Sequence, residues 1–297
     1  MLARVREFFA ERGVLEVETP ALSAAGISDP AIESITARLG GRKHYLQTSP
    51  EYAMKRLLAA GLGDSYQICR VFRNGELGRW HQPEFTLLEW YRTGWNETAL
   101  LDEVELLIEL AVGEAVLTGP GTRLSYAHAF ERYLGTDPHG DLSGLPGKLA
   151  ELGIDVPAGL DRDALLDLAL SEVVIAGLEP DALTFIYDYP ASQAALAEIK
   201  PQTPPVAARY EAFAGGIELA NGFRELTDAA EQRRRFQTEL ETRHARGQPA
   251  QPLDEAFLAA LEHGLPPCAG VAVGVDRLVA LAAGLGNVAA AMSFAHE

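Results

Sequence analysis

The sequence predicts an α+β fold in which an antiparallel β-sheet is flanked by helices. Two observations carry this. Strand-like runs near 43–48, 65–72, 84–92, 182–188, 205–213, 216–223 and 268–275 include several adjacent pairs split by turn residues, which read as hairpins. Helical periodicity near 1–12, 51–60, 99–117, 161–176, 227–245, 252–263 and 276–284 supplies the flanking layers.

In chain order, Leu2, Val5, Phe8 and Phe9 form one apolar stripe, so the N-terminus reads as an amphipathic helix, not a secretory signal. Thr48-Ser49-Pro50-Glu51 opens the second helix. Ser49 suits an N-cap, Pro50 the first helical position and Gly61 the stop. Glu51 then stands where it could meet a substrate amine. The run Arg70 to Tyr91 reads as a strand, a glycine-containing loop and a return strand. Arg73, Arg79 and His81 surround the loop, and guanidinium groups grip phosphate oxygens bidentately. Phe85, at the start of the return strand, could stack on a purine. Alternation puts Glu89 and Tyr91 on one face. The stretch 118–160 is rich in Gly, Pro and Asp and reads as an irregular connection, part of a peripheral insertion at about 118–180.

The glycine pair in Glu211-Ala-Phe-Ala-Gly-Gly-Ile-Glu218 predicts another hairpin. A two-residue loop at 214–215 sets Glu211 directly opposite Glu218. A loop at 215–216 keeps the two on one face. Facing carboxylates repel unless a cation lies between them, and hard oxygen ligands suit Mg²⁺ shared with ATP phosphates. Glu218 and Glu225 differ by an odd number, so a regular strand sends them to opposite faces. A bulge at Asn221-Gly222 would bring both inward. In Gly270-Val-Ala-Val-Gly-Val275 the small residues share one strand face, bare enough for a ligand to lie against backbone. Arg277 follows in the first turn of a helix, where the dipole disfavours it unless an anion is present.

Composition sets limits. The chain has 297 residues, 47% apolar and 23% charged, with a formal net charge of −17. Such a charge favours cationic ligands over nucleic acid, and the single basic run, Arg233-Arg234-Arg235, reads as a solvated helix face. No apolar run reaches the ~18 residues of a membrane span. Cys69 and Cys268 form neither a disulfide framework nor a zinc cluster, so the expected compartment is the cytoplasm.

In this order the segments resemble class II aminoacyl-tRNA synthetases, and within them the lysine-specific branch. Gly13 to Pro20 is similar to the first class II signature, the Phe72-Arg73 strand and its loop to Phe85 to the second, and Gly270 to Arg277 to the third. SPEYAMKRL, HQPEFTLLEWY and GIELANGFRELTDA resemble runs of lysyl-tRNA synthetases. Those enzymes carry an N-terminal anticodon-binding domain, whereas this chain begins at the catalytic core, so no tRNA charging is expected. The stand-alone core resembles the elongation factor P–(R)-β-lysine ligase family. A single catalytic domain over 1–297 and a homodimer through the first signature are the implied architecture.

The resemblance implies ATP and Mg²⁺ as substrate and cofactor, and elongation factor P as the acceptor of a lysine-type amino acid. It places Arg73 on the α-phosphate, Arg277 on the γ-phosphate and Phe85 on adenine. Asn74, Gly75, Gln82, Leu219 and Gly274 line the nucleotide site, and Glu211 and Glu218 hold the metal. Ser49, Pro50 and Glu51 border the backbone end of the amino acid, and Glu89, Tyr91, Asn221, Glu225 and Ala272 shape its pocket. Gly75 replaces a family glutamate that reads adenine, with Glu76 beside it as a substitute. Ala272 replaces the glycine of lysyl-tRNA synthetases, as is expected of the β-lysine ligases. The alternatives are a lysyl-adenylate-forming ligase with another acceptor, and a non-catalytic binding paralogue, which only Gly75 favours.

Overall fold

The structure, a computed structural model, describes residues 1–113 and 116–296. The chain opens with α1 (Leu2–Glu11) and β1 (Leu15–Glu16). A small sheet follows, β2 (Leu22–Ser23), β3 (Thr36–Leu39) and β4 (Arg42–Leu46), with β4 in the middle. Next come α2 (Glu51–Ala59), the pair β5 (Ser65–Phe72) and β6 (Glu84–Thr93), and α3 (Glu97–Val112). Then β7 (Thr122–Ser125), α4 (Tyr126–Leu134), α5 (Leu145–Glu151) and α6 (Arg162–Ala169) lead to β8 (Thr184–Pro190). The chain closes with β9 (Ile199–Lys200), β10 (Val206–Ala214), β11 (Ile217–Arg224), α7 (Ala229–Ala245), α8 (Glu255–Gly264), β12 (Cys268–Gly274) and α9 (Val275–Ala282).

The main sheet runs β1-β5-β6-β12-β11-β10-β8-β7, with β9 on β10. Only β1–β5 and β7–β8 at the two edges pair parallel; the central strands are antiparallel, as the sequence predicts. The pattern arises because β5–β6 and β10–β11 are local pairs, and β12, last in the chain, fills the gap between them.

Alternation fixes the two faces. Leu88 and Trp90, Ala269, Val271 and Val273, and Tyr210 and Ala212 turn to one side, where they form a buried core with Val104, Leu107 and Ile108 of α3 and Leu278 of α9. Burial of side chains of this size contributes roughly 1.5–3 kcal/mol each. The other face is polar at its centre and carries the site. It is backed by a separate apolar cluster of α2, α7 and α8, containing Met54, Leu58, Phe236, Phe257 and Leu261.

Two sequence readings need correction. The stretch 118–160 is not an irregular connection: it holds β7, α4 and α5, whose Tyr126, Phe130 and Leu149 are buried against β8 and β10. Its turn-forming residues obscured short helices that gain stability from packing on the sheet. The helix predicted over 99–117 ends at Val112, where Gly113 takes a φ of +86°; positions 114 and 115 of that reading lie outside the described residues.

Candidate active site

One row across the sheet sets the site. Gln67 of β5 lies beside Glu89 of β6, Glu89 beside Ala272 of β12, Ala272 beside Asn221 of β11, and Asn221 beside Glu211 of β10. Paired residues in a sheet share a face, so five side chains are aligned without any long-range search. Above this row opens a cavity of about 280 Å³.

The register of β10 and β11 differs from the sequence reading. Ala212 pairs with Ala220 but Phe213 pairs with Glu218, so Leu219 is an extra residue. Leu219 and Ala220 both enter the core, and the parity of the strand flips between them. Glu218 therefore faces the cavity together with Asn221, Phe223 and Glu225. A bulge does bring Glu218 and Glu225 to one face, but it sits before Asn221-Gly222. Gly222 has another job: a Cβ there would stand 2.5 Å from the Tyr210 hydroxyl oxygen. The turn falls at Gly215-Gly216, so Glu211 and Glu218 are not directly opposite but lie on one face, as the second of the two loop readings has it. Asn221 is opposite Glu211.

At one end of the cavity lies a carboxylate cluster. Glu89 accepts from the Tyr91 hydroxyl at 2.6 Å and from the Ser49 hydroxyl at 2.7 Å. Ser49 in turn accepts the Glu51 N–H at 3.0 Å, but α2 begins at Glu51 with Pro50, not Ser49, at its N-cap, so each lies one place earlier relative to the helix than the sequence reading has it. Glu51 and Glu225 do not face an empty cage. Lys55, one turn along α2, places its ammonium 2.6 Å from Glu51 and in an ion pair with Glu225. Burial draws Lys55 toward its neutral form, but Glu225 and Glu51 outweigh this and keep it charged. Burial pushes Glu89 up to about 7 and Glu225 up to about 8, the latter against the pull of Lys55. Gly270 makes the cluster possible, since a Cβ there would collide with the Tyr91 ring and the Glu225 carboxylate. The small-residue face of β12 thus admits neighbouring side chains as well as ligand.

At the other end the cavity is cationic. Arg73 lies over the Phe85 ring at 5.1 Å and donates to the Thr48 carbonyl at 3.2 Å. Arg277 donates to the Glu218 carbonyl at 2.8 Å and to that of Trp80 at 3.1 Å, and its other terminal nitrogen lies 2.9 Å from His81 Nε2. Burial and then the Arg277 charge hold His81 below its ordinary pKa, so its ring nitrogen can accept from the guanidinium. Asp276 fixes the start of β6 by accepting the Thr86 N–H at 2.6 Å.

Ser49, Glu51, Arg73, Gln82, Phe85, Glu89, Tyr91, Glu218, Leu219, Asn221, Glu225, Ala272, Gly274 and Arg277 all line the cavity. Pro50, Asn74, Gly75 and Glu211 are not among its walls. Asn74 and Gly75 turn away because the loop needs a φ of +76° at Gly75, which sends Glu76 inward, 3.7 Å from Arg73. Glu211 is committed elsewhere. One oxygen meets the Arg209 guanidinium and the other accepts from Tyr189 at 2.7 Å. No group of three or more metal-ligating residues occurs among those described. Glu218, facing the cavity and 3.3 Å from Arg277, suits a hard cation that takes its remaining ligands from phosphate and water.

A family model described as "tRNA synthetases class II (D, K and N)" matches residues 1–297. An elongation factor P–(R)-β-lysine ligase of Klebsiella pneumoniae (strain 342) is 48% identical over 99% of this chain and 92% of its own length. One of the same name from Salmonella paratyphi B is 47% identical over the same shares. The chain belongs to the class II tRNA synthetase family, in the group of these ligases. As a class II enzyme of this group it is an amino-acid ligase, and its antiparallel sheet is the family's.

Several residues of this class II site escape sequence reasoning. Lys55 reads as one more surface charge of an amphipathic helix, yet it is 1% exposed. The signal that could have found it is its i,i+4 spacing from Glu51 on the same helix, which the structure realises as an ion pair at 2.6 Å. Glu239 lines the cavity from α7, bonded to Ser28, with burial pushing it up to about 7. Its helix is so polar that nothing distinguishes it from its neighbours.

Proposed function

We propose that the chain activates (R)-β-lysine with ATP and transfers it to a lysine side chain of elongation factor P. The observation that carries this reading is the polarity of the single cavity wall: carboxylates at one end, two fixed guanidiniums at the other. A lysine-type amino acid has two ammonium groups to satisfy the first end and a carboxylate to present to the second. Glu89 and Glu51 take the amine nearer the carboxylate, and Glu225 takes the distal one, with Tyr91 orienting Glu89. Ala272, between Glu89 and Asn221, is the floor against which the isomers differ.

Arg73 holds the α-phosphate and the substrate carboxylate together. The carboxylate oxygen forms a bond to the α-phosphorus in line as the bond to pyrophosphate breaks. Arg277, fixed by two backbone carbonyls, meets the departing phosphates. Phe85 stacks on adenine, and Glu76 supplies the carboxylate that Gly75 lacks, which removes the feature favouring a non-catalytic paralogue. Mg²⁺, held by Glu218 and phosphate oxygens, would neutralise charge on the polyphosphate. The amine of the acceptor lysine then bonds to the acyl carbon, loses its proton, and AMP leaves. Positioning and charge neutralisation suffice; no covalent enzyme intermediate is needed.

The charge of −17 supports a protein acceptor over tRNA, and the two free cysteines, Cys69 and Cys268, support a cytoplasmic site of action. No helix among the described residues is long and apolar enough to cross a membrane. Leu2, Leu15 and Leu62, exposed near the N-terminal signature, support a homodimer through that region. The test is mass spectrometry of purified elongation factor P incubated with the protein, Mg-ATP and either lysine isomer. A gain of one lysyl unit on one lysine, larger with the β-isomer, is expected. An unmodified factor, with the protein folded, would overturn the reading.

A further inference from the structure

Lys55 has no part in the steps above, yet it is among the most deeply buried charges of the protein. It stands behind the cavity wall, not in it. Glu51 and Glu225 lie between it and the open space, and the rings of Phe223 and Phe257 flank its ammonium at 5.4 and 5.8 Å. The titratable groups turned toward it are Glu51 on its own helix, Glu225 at the end of β11, Glu89 and Tyr91 on β6, and Cys268 on β12. Glu225 uses one oxygen on Lys55; the other, Oε1, is buried without a hydrogen-bond partner.

A buried carboxyl oxygen with no partner calls for a donor from outside the protein. A buried ammonium with two carboxylate partners calls for none. With Glu51, Glu89 and Glu225 ionised, the single charge of Lys55 leaves the cluster at a net −2. A dication restores neutrality inside a low-dielectric space; a monocation leaves one carboxylate uncompensated.

We infer that Lys55 is a positioning residue and internal counter-ion: it fixes Glu51 and Glu225 and sets the pocket's charge to match a substrate with two ammonium groups. This rests on the diamino-acid reading of the cavity. Lys55 never touches substrate. It keeps one oxygen of each flanking carboxylate occupied and leaves the second for the ligand. Without it, three carboxylates crowd one another with no internal cation, they hold their protons more tightly, and those protons must be displaced before an ammonium is received.

Lys55→Met keeps the length of the side chain and loses the charge. Calorimetric binding of β-lysine and lysine at pH 7 is expected to weaken roughly tenfold or more, with ATP binding unchanged. Part of the loss is expected to return at pH 8.5, where the carboxylates ionise again. Lys55→Ala opens a cavity that n-propylammonium and n-propanol fill equally well, and only the ammonium is expected to restore diamine binding. This second variant, read as recovery, guards against a folding defect in the first. Undiminished diamine binding in Lys55→Met, equal rescue by the alcohol, or no rescue by the ammonium would overturn the inference. Pyrophosphate exchange by the unaltered protein, run in parallel, separates the two ideas. Diamine binding without exchange refutes the ligase reading and leaves Lys55 in place, whereas no diamine binding at all refutes both.

Discussion

Glu225 shows how one residue can link folding, acidity and selectivity. Its carboxyl is 1% exposed, and burial raises its pKa to about 8 while Glu89 is raised to about 7. Both lie above the ordinary carboxylate value, so the ligand-free fold binds these protons more tightly than the unfolded chain does. Their contribution to stability is full in acid and fades as pH rises through 7 and 8. An ammonium ligand favours the ionised forms. The rise in melting temperature caused by a diamino acid should therefore grow from pH 6 to pH 8, with protons released on binding. Glu225→Gln should flatten the upper part of that rise and weaken lysine-type ligands by roughly 2–5 kcal/mol, as for a broken buried charge pair. Calorimetry in two buffers of different ionisation enthalpy measures both quantities. A pH-independent shift, or equal losses for ATP and amino acid, would remove Glu225 from the amine pocket. Residue identities of this kind were legible in the sequence because carboxylates, aromatics and arginines recur in fixed order. Their state of pairing was not, since Lys55 approaches Glu225 only through the packing of α2 against the end of β11.

Strand β11 carries the clearest case at the level of elements. A hairpin was legible from Gly215-Gly216, whose φ values of +60° and +71° only glycine adopts without strain. That the strand needed a bulge followed from parity. Its position did not, because Leu219 and Ala220 are both apolar and either could have faced the core. Deleting Leu219 should remove the bulge and restore regular alternation while Asn221, Phe223 and Glu225 keep their face, so its cost is the lost burial of one core leucine. We expect that variant to keep diamine binding and to lose roughly 2–5 kcal/mol of stability, as for a core leucine removed. One glycine added to the turn, by contrast, should change the melting temperature by a few degrees at most, since turns tolerate length. Denaturation curves and diamine titrations of the two variants check this, and loss of diamine binding in the deletion variant would show that the bulge itself aims Glu225. The helices between β7 and β8 were illegible for a different reason: they are short, and their stability is borrowed from β8 and β10.

At the scale of the whole molecule, the central sheet was legible because its strands are long and alternate over most of their length, while the two parallel edge pairings, β1–β5 and β7–β8, rest on stretches of two and four residues that carry no periodic signal. The two ends of the cavity are also mechanically joined. Residues 47–49 run between them. Gln47 O accepts the Phe72 N–H at 2.9 Å, Thr48 O accepts from Arg73 at 3.2 Å, and Ser49 holds Glu89 at 2.7 Å. A phosphate that settles Arg73 therefore settles the segment that orients Glu89, and an ammonium on Glu89 settles the carbonyl that steadies Arg73. Thermodynamic reciprocity follows: whatever factor ATP contributes to amino-acid affinity, the amino acid must contribute to ATP affinity. We expect a factor of about five or more, typical of coupled sites. It is measured by titrating each ligand, with a non-hydrolysable ATP analogue, in the absence and presence of the other. Independent binding would mean that these three residues transmit nothing. A positive factor would let the protein stay largely empty when either metabolite is scarce and commit ATP only when both are at hand.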